Sequence, residues 1–189
     1  KRMKSGNFTV DEIEFKLKQY CSYQDRCHNE VEKKLKTFDV IPEAREQIII
    51  KLINENYLNE TRFSKSFVRG KFKIKNWGKR KIILELKSRN VSGYNIKEGL
   101  KEIVEEDYQN KLESLFNKKL ASLDHLSLTN KKKKILSFLL YRGWETNLIY
   151  EKISLTPTTI LNNIIDNTVS TIFNVDLIND FMSKNIKNR

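Results

Sequence analysis

The chain is poor in the residues that interrupt or cross-link a fold. Among its 189 residues there are only two prolines, six glycines and two cysteines. So few turn-forming residues, in a sequence rich in Lys, Glu, Leu and Ile, favour helices over a β-fold with many turns. Two cysteines are too few for a disulfide framework, which indicates a reducing compartment, so we expect a cytoplasmic protein.

Long apolar runs are also missing. Charged residues break every hydrophobic stretch within a turn or two of helix. The sequence therefore predicts neither a secretion signal nor a membrane span, which would need about twenty apolar residues. We expect no membrane partner.

The residues and motifs of most enzymes are missing too. There are only two histidines, and no phosphate-binding glycine loop, dinucleotide-binding pattern or nucleophile elbow occurs. The one possible metal cluster, formed by Cys21, Cys27 and His28, lacks a second pair at zinc spacing and is better explained by packing. We predict a protein with no catalytic residues, no metal and no cofactor.

One apolar pattern occurs three times along the chain. Each copy joins two short helices through a turn, and the copies are offset by 51 and 53 residues. A further helix is predicted before each pair, over residues 10–20, 61–75 and 105–121. The positions of the pattern are Val31, Leu35, Val40 and Ile49, then Ile82, Leu86, Val91, Ile96 and Leu100, then Ile135, Leu139, Trp144, Ile149 and Ile153.

The pattern predicts an all-α fold of three tandem three-helix repeats. Because such small units cannot each seal a core, neighbouring repeats must complete it, which favours an elongated, curved array over one compact bundle. We assign repeat 1, with the N-terminal segment, to residues 1–58, repeat 2 to 59–103 and repeat 3 to 104–155. An extension at 156–189 follows, in which an amphipathic helix is predicted over 160–172.

Local signals predict some details of packing and capping. Asn59 is expected to cap the first helix of repeat 2, and Thr129 with Asn130 to cap the middle helix of repeat 3. The residues expected to pack in repeat 1 are Ile13, Phe15, Leu17 and Tyr20. The first helix of repeat 2 is expected to pack through a stripe whose glycine allows a close helix contact: Phe63, Phe67, Gly70 and Ile74.

Positive charge is in excess and clustered. The chain has 36 Lys and Arg against 24 Asp and Glu, a formal charge of +12, so we expect it to bind nucleic acid or an acidic protein surface. Residues 65–89 hold ten basic residues against a single acid, Glu85. The lysine-rich segments 79–81 and 131–134 are predicted to begin two middle helices. Cations at helix N-termini oppose the macrodipole, which favours a site for a phosphate or carboxylate there.

These cations are the candidate contact residues for a protein or nucleic-acid partner. Phe72, Trp77 and Tyr141 lie among them and could stack on bases, although such aromatics more often pack in cores and turns. The candidate contact residues are Arg62, Arg69, Lys71, Lys73, Lys75, Lys79, Arg80, Lys81, Lys131, Lys132, Lys133, Lys134 and Arg142.

The sequence resembles the RecX family of regulatory proteins over residues 10–155. The most specific part reads YLNETRFS at 57–64, FVR at 67–69, WG at 77–78 and KIILELK at 81–87. Weaker similarity lies at 20–35 and at 138–144. Asn59 stands where the family usually has Asp, and Ser88-Arg89-Asn90 replaces the family's Lys-Gly turn after the middle helix.

The resemblance implies the three-repeat helical fold and a cytoplasmic, non-enzymatic regulator. It implies binding along the groove of the RecA recombinase filament, bridging adjacent protomers, with contact to DNA. We expect a monomer that inhibits the ATPase, strand-exchange and co-protease activities of RecA in DNA repair and the SOS response. The residues leave an alternative open: a sequence-independent binder of single- or double-stranded DNA, or a transcriptional regulator of the helix-turn-helix type.

Overall fold

The computed structural model describes residues 8–123 and 126–157, and within them it has nine α-helices and no strand. The all-helical prediction is confirmed. None of the described helices is long and apolar enough to cross a membrane. The helix predicted over 160–172 lies outside the described residues.

In chain order the helices form three groups of three, all within Lys1–Leu155. The first group is α1 (Val10–Tyr23), α2 (His28–Leu35) and α3 (Pro42–Asn54). The second group is α4 (Glu60–Lys73), α5 (Lys79–Ser88) and α6 (Gly93–Leu100). The third group is α7 (Glu105–Ala121), α8 (Leu128–Tyr141) and α9 (Thr146–Leu155).

Polar side chains fix where several helices begin. Asn59 Oδ1 accepts the N–H of Arg62 at 2.9 Å, so the predicted cap of α4 is confirmed. The predicted cap of α8 is wrong, because α8 begins one residue before Thr129, with Ser127 as its N-cap. Lys131 is therefore the fourth residue of α8, and the four-lysine segment lies largely in the second turn of the helix.

Four residues in the left-handed region end helices or follow them closely. Asn56, Asn76 and Asn90 have φ of 61°, 56° and 59°, and Gly143 has φ of 80°. Asparagine tolerates this conformation better than most residues and often takes the place of glycine after a helix. Asn90 can therefore replace the glycine of the family's turn after the middle helix without disturbing its backbone.

The repeated apolar pattern forms the core. Its first three positions are buried in every copy, and the three largest relative exposures, at Val40, Val91 and Leu35, are 7%, 5% and 1%. Phe15, however, is 61% exposed, so its predicted packing role is wrong. Because corresponding positions of the pattern are buried in each copy, the middle helices α2, α5 and α8 are equivalent elements of the three groups.

The predicted packing stripe of α4 is right at its start and wrong at its end: Phe63 is buried and Phe67 half-buried, but Gly70 and Ile74 do not pack. Ile74 is 75% exposed, and a Cβ added at Gly70 would meet nothing within 4 Å, so Gly70 allows no close contact. Besides Phe63, the buried residues of α4 are Ser64, Val68 and Phe72. Ser64 takes part because α6 approaches it closely: a Cβ added at Gly99 would lie 3.0 Å from Ser64. Contact with α6 thus determines which face of α4 is buried.

Candidate interaction surface

The candidate cations of α4 and of the turn that follows it are engaged to different degrees. Arg62 and Arg69 pair with Asp25 and Glu102 at 2.7 Å and 3.0 Å. Lys71 is half-buried, whereas Lys73 and Lys75 are exposed. Two of these five cations therefore already have carboxylate partners within the fold.

Asp25 joins the first group to the second. Its carboxylate accepts hydrogen bonds from Arg62 Nε at 2.7 Å and Ser66 Oγ at 2.6 Å, both on α4. Arg62 also donates to the backbone carbonyls of Asn56 and Tyr57. Burial alone would raise the pKa of Asp25, but the hydrogen bonds from Ser66 and Arg62 outweigh it and hold the pKa below its ordinary value. Arg62 therefore holds two groups together.

We expect Asp25→Asn to lower the free energy of unfolding at pH 7 by about 1–2 kcal/mol, because Arg62 loses its charged partner. A carboxyl whose pKa is lowered in the fold stabilises it above its unfolded pKa, near 3.9, and loses that effect as pH falls through the lower folded value. Urea unfolding should therefore show a smaller loss of stability below about pH 4 for Asp25→Asn than for the wild type. Asp39→Asn, at an exposed position, is the matched control, and an equal acid dependence in all three proteins would contradict the assignment.

The start of α5 meets the end of α8. Gly78 N–H donates to the carbonyl of Arg142 at 2.8 Å, and Arg80 N–H donates to the carbonyl of Gly143 at 3.1 Å. Both glycines are required, since a Cβ added at Gly78 would lie 2.3 Å from the Gly143 oxygen and one added at Gly143 would lie 2.3 Å from Lys81 Cβ. The second and third groups are thus joined backbone to backbone.

The anion site predicted at the start of α5 is wrong. The N–H groups of Lys79 and Arg80 that would hold an anion already donate to Tyr108 Oη and the Gly143 carbonyl. Lys81, at the start of α5, also reaches the C-terminal end of α8, where its Nζ donates to the Tyr141 carbonyl at 3.2 Å. Since a helix C-terminus favours positive charge, this contact offsets the unfavourable effect of the α5 macrodipole.

A buried tyrosine completes this junction. Tyr108 is fully buried, and its ring stacks on Trp144 with centroids 4.4 Å apart. Its hydroxyl accepts the Lys79 N–H at 2.9 Å and donates to Glu145 Oε2 at 2.5 Å. Burial and the hydrogen bond to Glu145 raise the pKa of Tyr108 well above its ordinary value. Trp144 Nε1–H in turn donates to the Asn76 carbonyl at 3.2 Å.

The other candidate residues of this junction have contacts of their own. Lys79 pairs with Glu105 at 2.7 Å, and this hydrogen bond lowers the pKa of Glu105. Arg80 donates to Thr146 Oγ1 at 3.2 Å. The guanidinium of Arg142 lies 3.8 Å from the centroid of the Phe138 ring.

Two lysines and two aromatic rings form a surface cluster beside the junction, which we call the Trp77 cluster: Lys71, Trp77, Lys81 and Tyr141. The ammonium groups of Lys71 and Lys81 lie 4.9 Å and 4.7 Å from the centroid of Trp77. Lys81 also lies 4.3 Å from the centroid of Tyr141. The second and third groups both contribute, so this surface exists only when they are joined.

The lysines of α8 do not all reach the surface. Lys131 is 1% exposed and does not lie on an interaction surface. Lys132 is half-buried, while Lys133 and Lys134 are exposed. Phe72 is also buried, so it is core rather than a stacking residue.

The cysteine and histidine side chains that the structure describes do not form a metal-binding cluster. Cys21 and Cys27 are both free and buried, and burial raises the pKa of each thiol. Among residues 8–123 and 126–157 no three His, Cys, Asp or Glu side chains are grouped as metal ligands would be. His28 instead lies 3.3 Å from Glu60, a contact between the first and second groups.

Sequence reasoning missed three residues that organise these contacts. Asp25 and Tyr108 each bridge two groups, and Glu145 accepts the Tyr108 hydroxyl within the third group, but none of the three lies in a cluster of like residues or in a recognisable motif. A tyrosine on the apolar face of α7 reads as ordinary core. The bridging role of Asp25 and Tyr108 follows only from contacts between residues 37 and 29 positions apart.

Residues 59–100 match a family model described as RecX, second three-helix domain. A Regulatory protein RecX of Oceanobacillus iheyensis is 29% identical over 140 residues, covering 74% of this chain and 52% of that protein. Another, of Lactobacillus gasseri, is 27% identical over 139 residues, covering 72% and 51%. The chain spans about half the length of these curated relatives.

Two solved RecX structures share the fold. RecX from Lactobacillus salivarius superposes with a TM-score of 0.69 at 26% identity, covering 78% of this chain and 97% of that one. A second regulatory protein RecX gives a TM-score of 0.66 at 22% identity, covering 77% and 74%. The structural similarity extends over nearly the whole length of the Lactobacillus salivarius chain.

Proposed function

This chain belongs to the RecX family of regulatory proteins, and on that basis we propose that it binds filaments of the RecA recombinase and inhibits their ATPase, strand-exchange and co-protease activities. It acts without catalysis of its own, as a monomer, in DNA repair and the SOS response. The observation that carries the proposal is the coverage of 97% of a solved RecX chain by the fold. The same family resemblance supplies RecA as the partner.

The contacts between groups suit binding to a repeating partner. The Asp25 contacts join the first group to the second, and the hydrogen bonds of Gly78 and Arg80 join the second to the third. Groups that are held together can engage neighbouring protomers of a filament, and each further contact is then intramolecular. The chain therefore gains affinity for a filament that it does not gain for single RecA molecules.

The charge distribution disfavours the alternative of a helix-turn-helix regulator. Such modules read duplex DNA with the last helix of a three-helix unit. Here α3 has two basic and two acidic residues, and α6 and α9 have one of each. The positive charge lies on α4, with five basic residues and one acid, and on α5, with four and one. The helices that would enter a major groove therefore have no net charge.

The test is ATP hydrolysis by RecA on single-stranded DNA. With increasing amounts of this chain, we expect hydrolysis to fall to a low plateau, because the bound chain restrains the filament. An unrelated ATPase that depends on single-stranded DNA is the control, and it should keep its activity. Full hydrolysis by RecA at saturation, or an equal loss in the control, would refute the proposal, the latter by showing that the chain only sequesters DNA.

A further inference from the structure

The Trp77 cluster has the composition of a site for single-stranded nucleic acid. Tyr141 is 58% exposed, and Trp77 is half-buried. Lys71 and Lys81 hold their ammonium groups within 5 Å of these rings. Aromatic faces on which bases stack, beside cations that follow the phosphates, are the two elements of single-strand binding.

The two lysines of the cluster differ electrostatically from their neighbours. Arg62, Arg69 and Lys79 are each paired with a carboxylate. In the part of the chain that the structure describes, the ion pairs include neither Lys71 nor Lys81, whose contacts are to rings and to a backbone carbonyl. Their positive charge is thus not neutralised, and the exposed Lys73 and Lys75 follow directly in the chain.

The cluster is held in place by the fold. The Trp77 N–H donates to the Lys71 carbonyl at 3.1 Å, which fixes the turn that carries the ring. Tyr141 ends α8, where Gly143 joins α5. A cation–π contact at an exposed site is weaker than base stacking, so a flexible lysine can leave the ring for a phosphate when a base arrives.

We propose that the Trp77 cluster binds single-stranded DNA, with bases stacked on Trp77 and on Tyr141 and the phosphates held by Lys71 and Lys81. Duplex DNA offers no free base faces, so the ring surfaces favour a single strand. The choice of DNA over RNA rests on the proposed function. The strand binding itself is a property of this chain alone and needs no RecA.

Tryptophan fluorescence tests the stacking contact directly. The chain has two tryptophans, of which Trp144 is fully buried. Titration of the full chain with a twenty-nucleotide oligo-dT strand should quench the emission, and Trp77→Phe should remove that quenching. Quenching that persists in Trp77→Phe, or no quenching in the wild type at saturation, would overturn the proposal.

Affinity measurements test the second ring and the cations. Tyr141→Leu should weaken oligo-dT binding roughly 5- to 100-fold, while Tyr94→Leu, at another exposed tyrosine, should not.

Lys71→Gln combined with Lys81→Gln should lower the slope of log affinity against log salt by up to about 1.4. Lys33→Gln with Lys97→Gln removes the same charge from exposed sites elsewhere and should change the slope less. Equal effects of either cluster variant and its control would overturn the proposal.

Two further comparisons separate this inference from its premise. Oligo-U of the same length should bind more weakly than oligo-dT, and tighter binding of oligo-U would overturn the assignment to DNA.

Inhibition of RecA hydrolysis is measured in parallel, with circular dichroism to verify folding. If inhibition occurs without quenching, the site is wrong and the proposed function stands. If quenching occurs without inhibition, the proposed function is wrong and the site stands.

Discussion

Gly143→Ala is expected to lower the free energy of unfolding by about 2–5 kcal/mol, the sum of a left-handed backbone cost and a steric clash. Gly143 has φ of 80°, and a Cβ there would lie 2.3 Å from Lys81 Cβ and 2.4 Å from the Lys81 backbone nitrogen. Because α5 must withdraw, the hydrogen bond from Arg80 N–H to the Gly143 carbonyl should be lost as well. Urea unfolding and amide hydrogen exchange at Arg80 measure the two effects.

Two other glycines provide matched controls for that substitution. A Cβ added at Gly70 or Gly93 would meet nothing within 4 Å. Gly70 lies inside α4, so Gly70→Ala should stabilise the chain by about 0.5–1 kcal/mol. Gly143→Ala as stable as Gly70→Ala would contradict the close contact between the second and third groups.

Tyr108→Phe is expected to destabilise the chain by about 1–3 kcal/mol, because a buried N–H group and a carboxylate lose their partner. The phenylalanine ring can still stack on Trp144, so the loss isolates the hydroxyl that joins Lys79 to Glu145. Urea unfolding at pH 7 gives the magnitude. Tyr94→Phe, at a side chain that is 71% exposed, should change nothing.

The same hydroxyl predicts a dependence on alkaline pH. The pKa of Tyr108 is raised in the fold, so folding opposes its ionisation. Its contribution to stability is complete below the unfolded pKa, near 10, and declines as pH rises above that value. Wild-type stability should therefore fall above about pH 10 more steeply than that of Tyr108→Phe. Parallel curves for the two proteins would contradict the burial of this hydroxyl.

Periodicity predicted the buried positions of the middle helices but failed at Phe15 on α1 and at the end of the α4 stripe. Val31, Ile82 and Ile135 recur at offsets of 51 and 53 residues and are all fully buried. On α4 the same reasoning chose Gly70 and Ile74, since several faces of that helix have apolar residues. The outcome was determined by the close approach of Gly99 to Ser64, a contact between distant positions that no pattern within α4 contains.

Charge in the sequence predicted the basic helices but not the partners of their cations. The excess of basic residues on α4 and α5 is visible in the sequence alone. Whether a cation is neutralised depends on residues such as Asp25, 37 positions from Arg62. The start of α5 looked like an anion site because the carbonyl end of α8, some sixty residues later, cannot be seen beside it in the sequence.

The most direct test of the central claim compares binding of the full chain to RecA filaments and to naked single-stranded DNA of the same length. With filaments assembled on a nonhydrolysable ATP analogue at physiological salt, we expect affinity for the filament to exceed that for naked DNA by about tenfold or more, since coupled groups can engage several protomers. The excess should persist in the Lys71→Gln, Lys81→Gln variant, because we assign these two cations to the strand and not to RecA. Equal affinity for filament and naked DNA would show that the chain recognises DNA and not RecA, and would contradict the account.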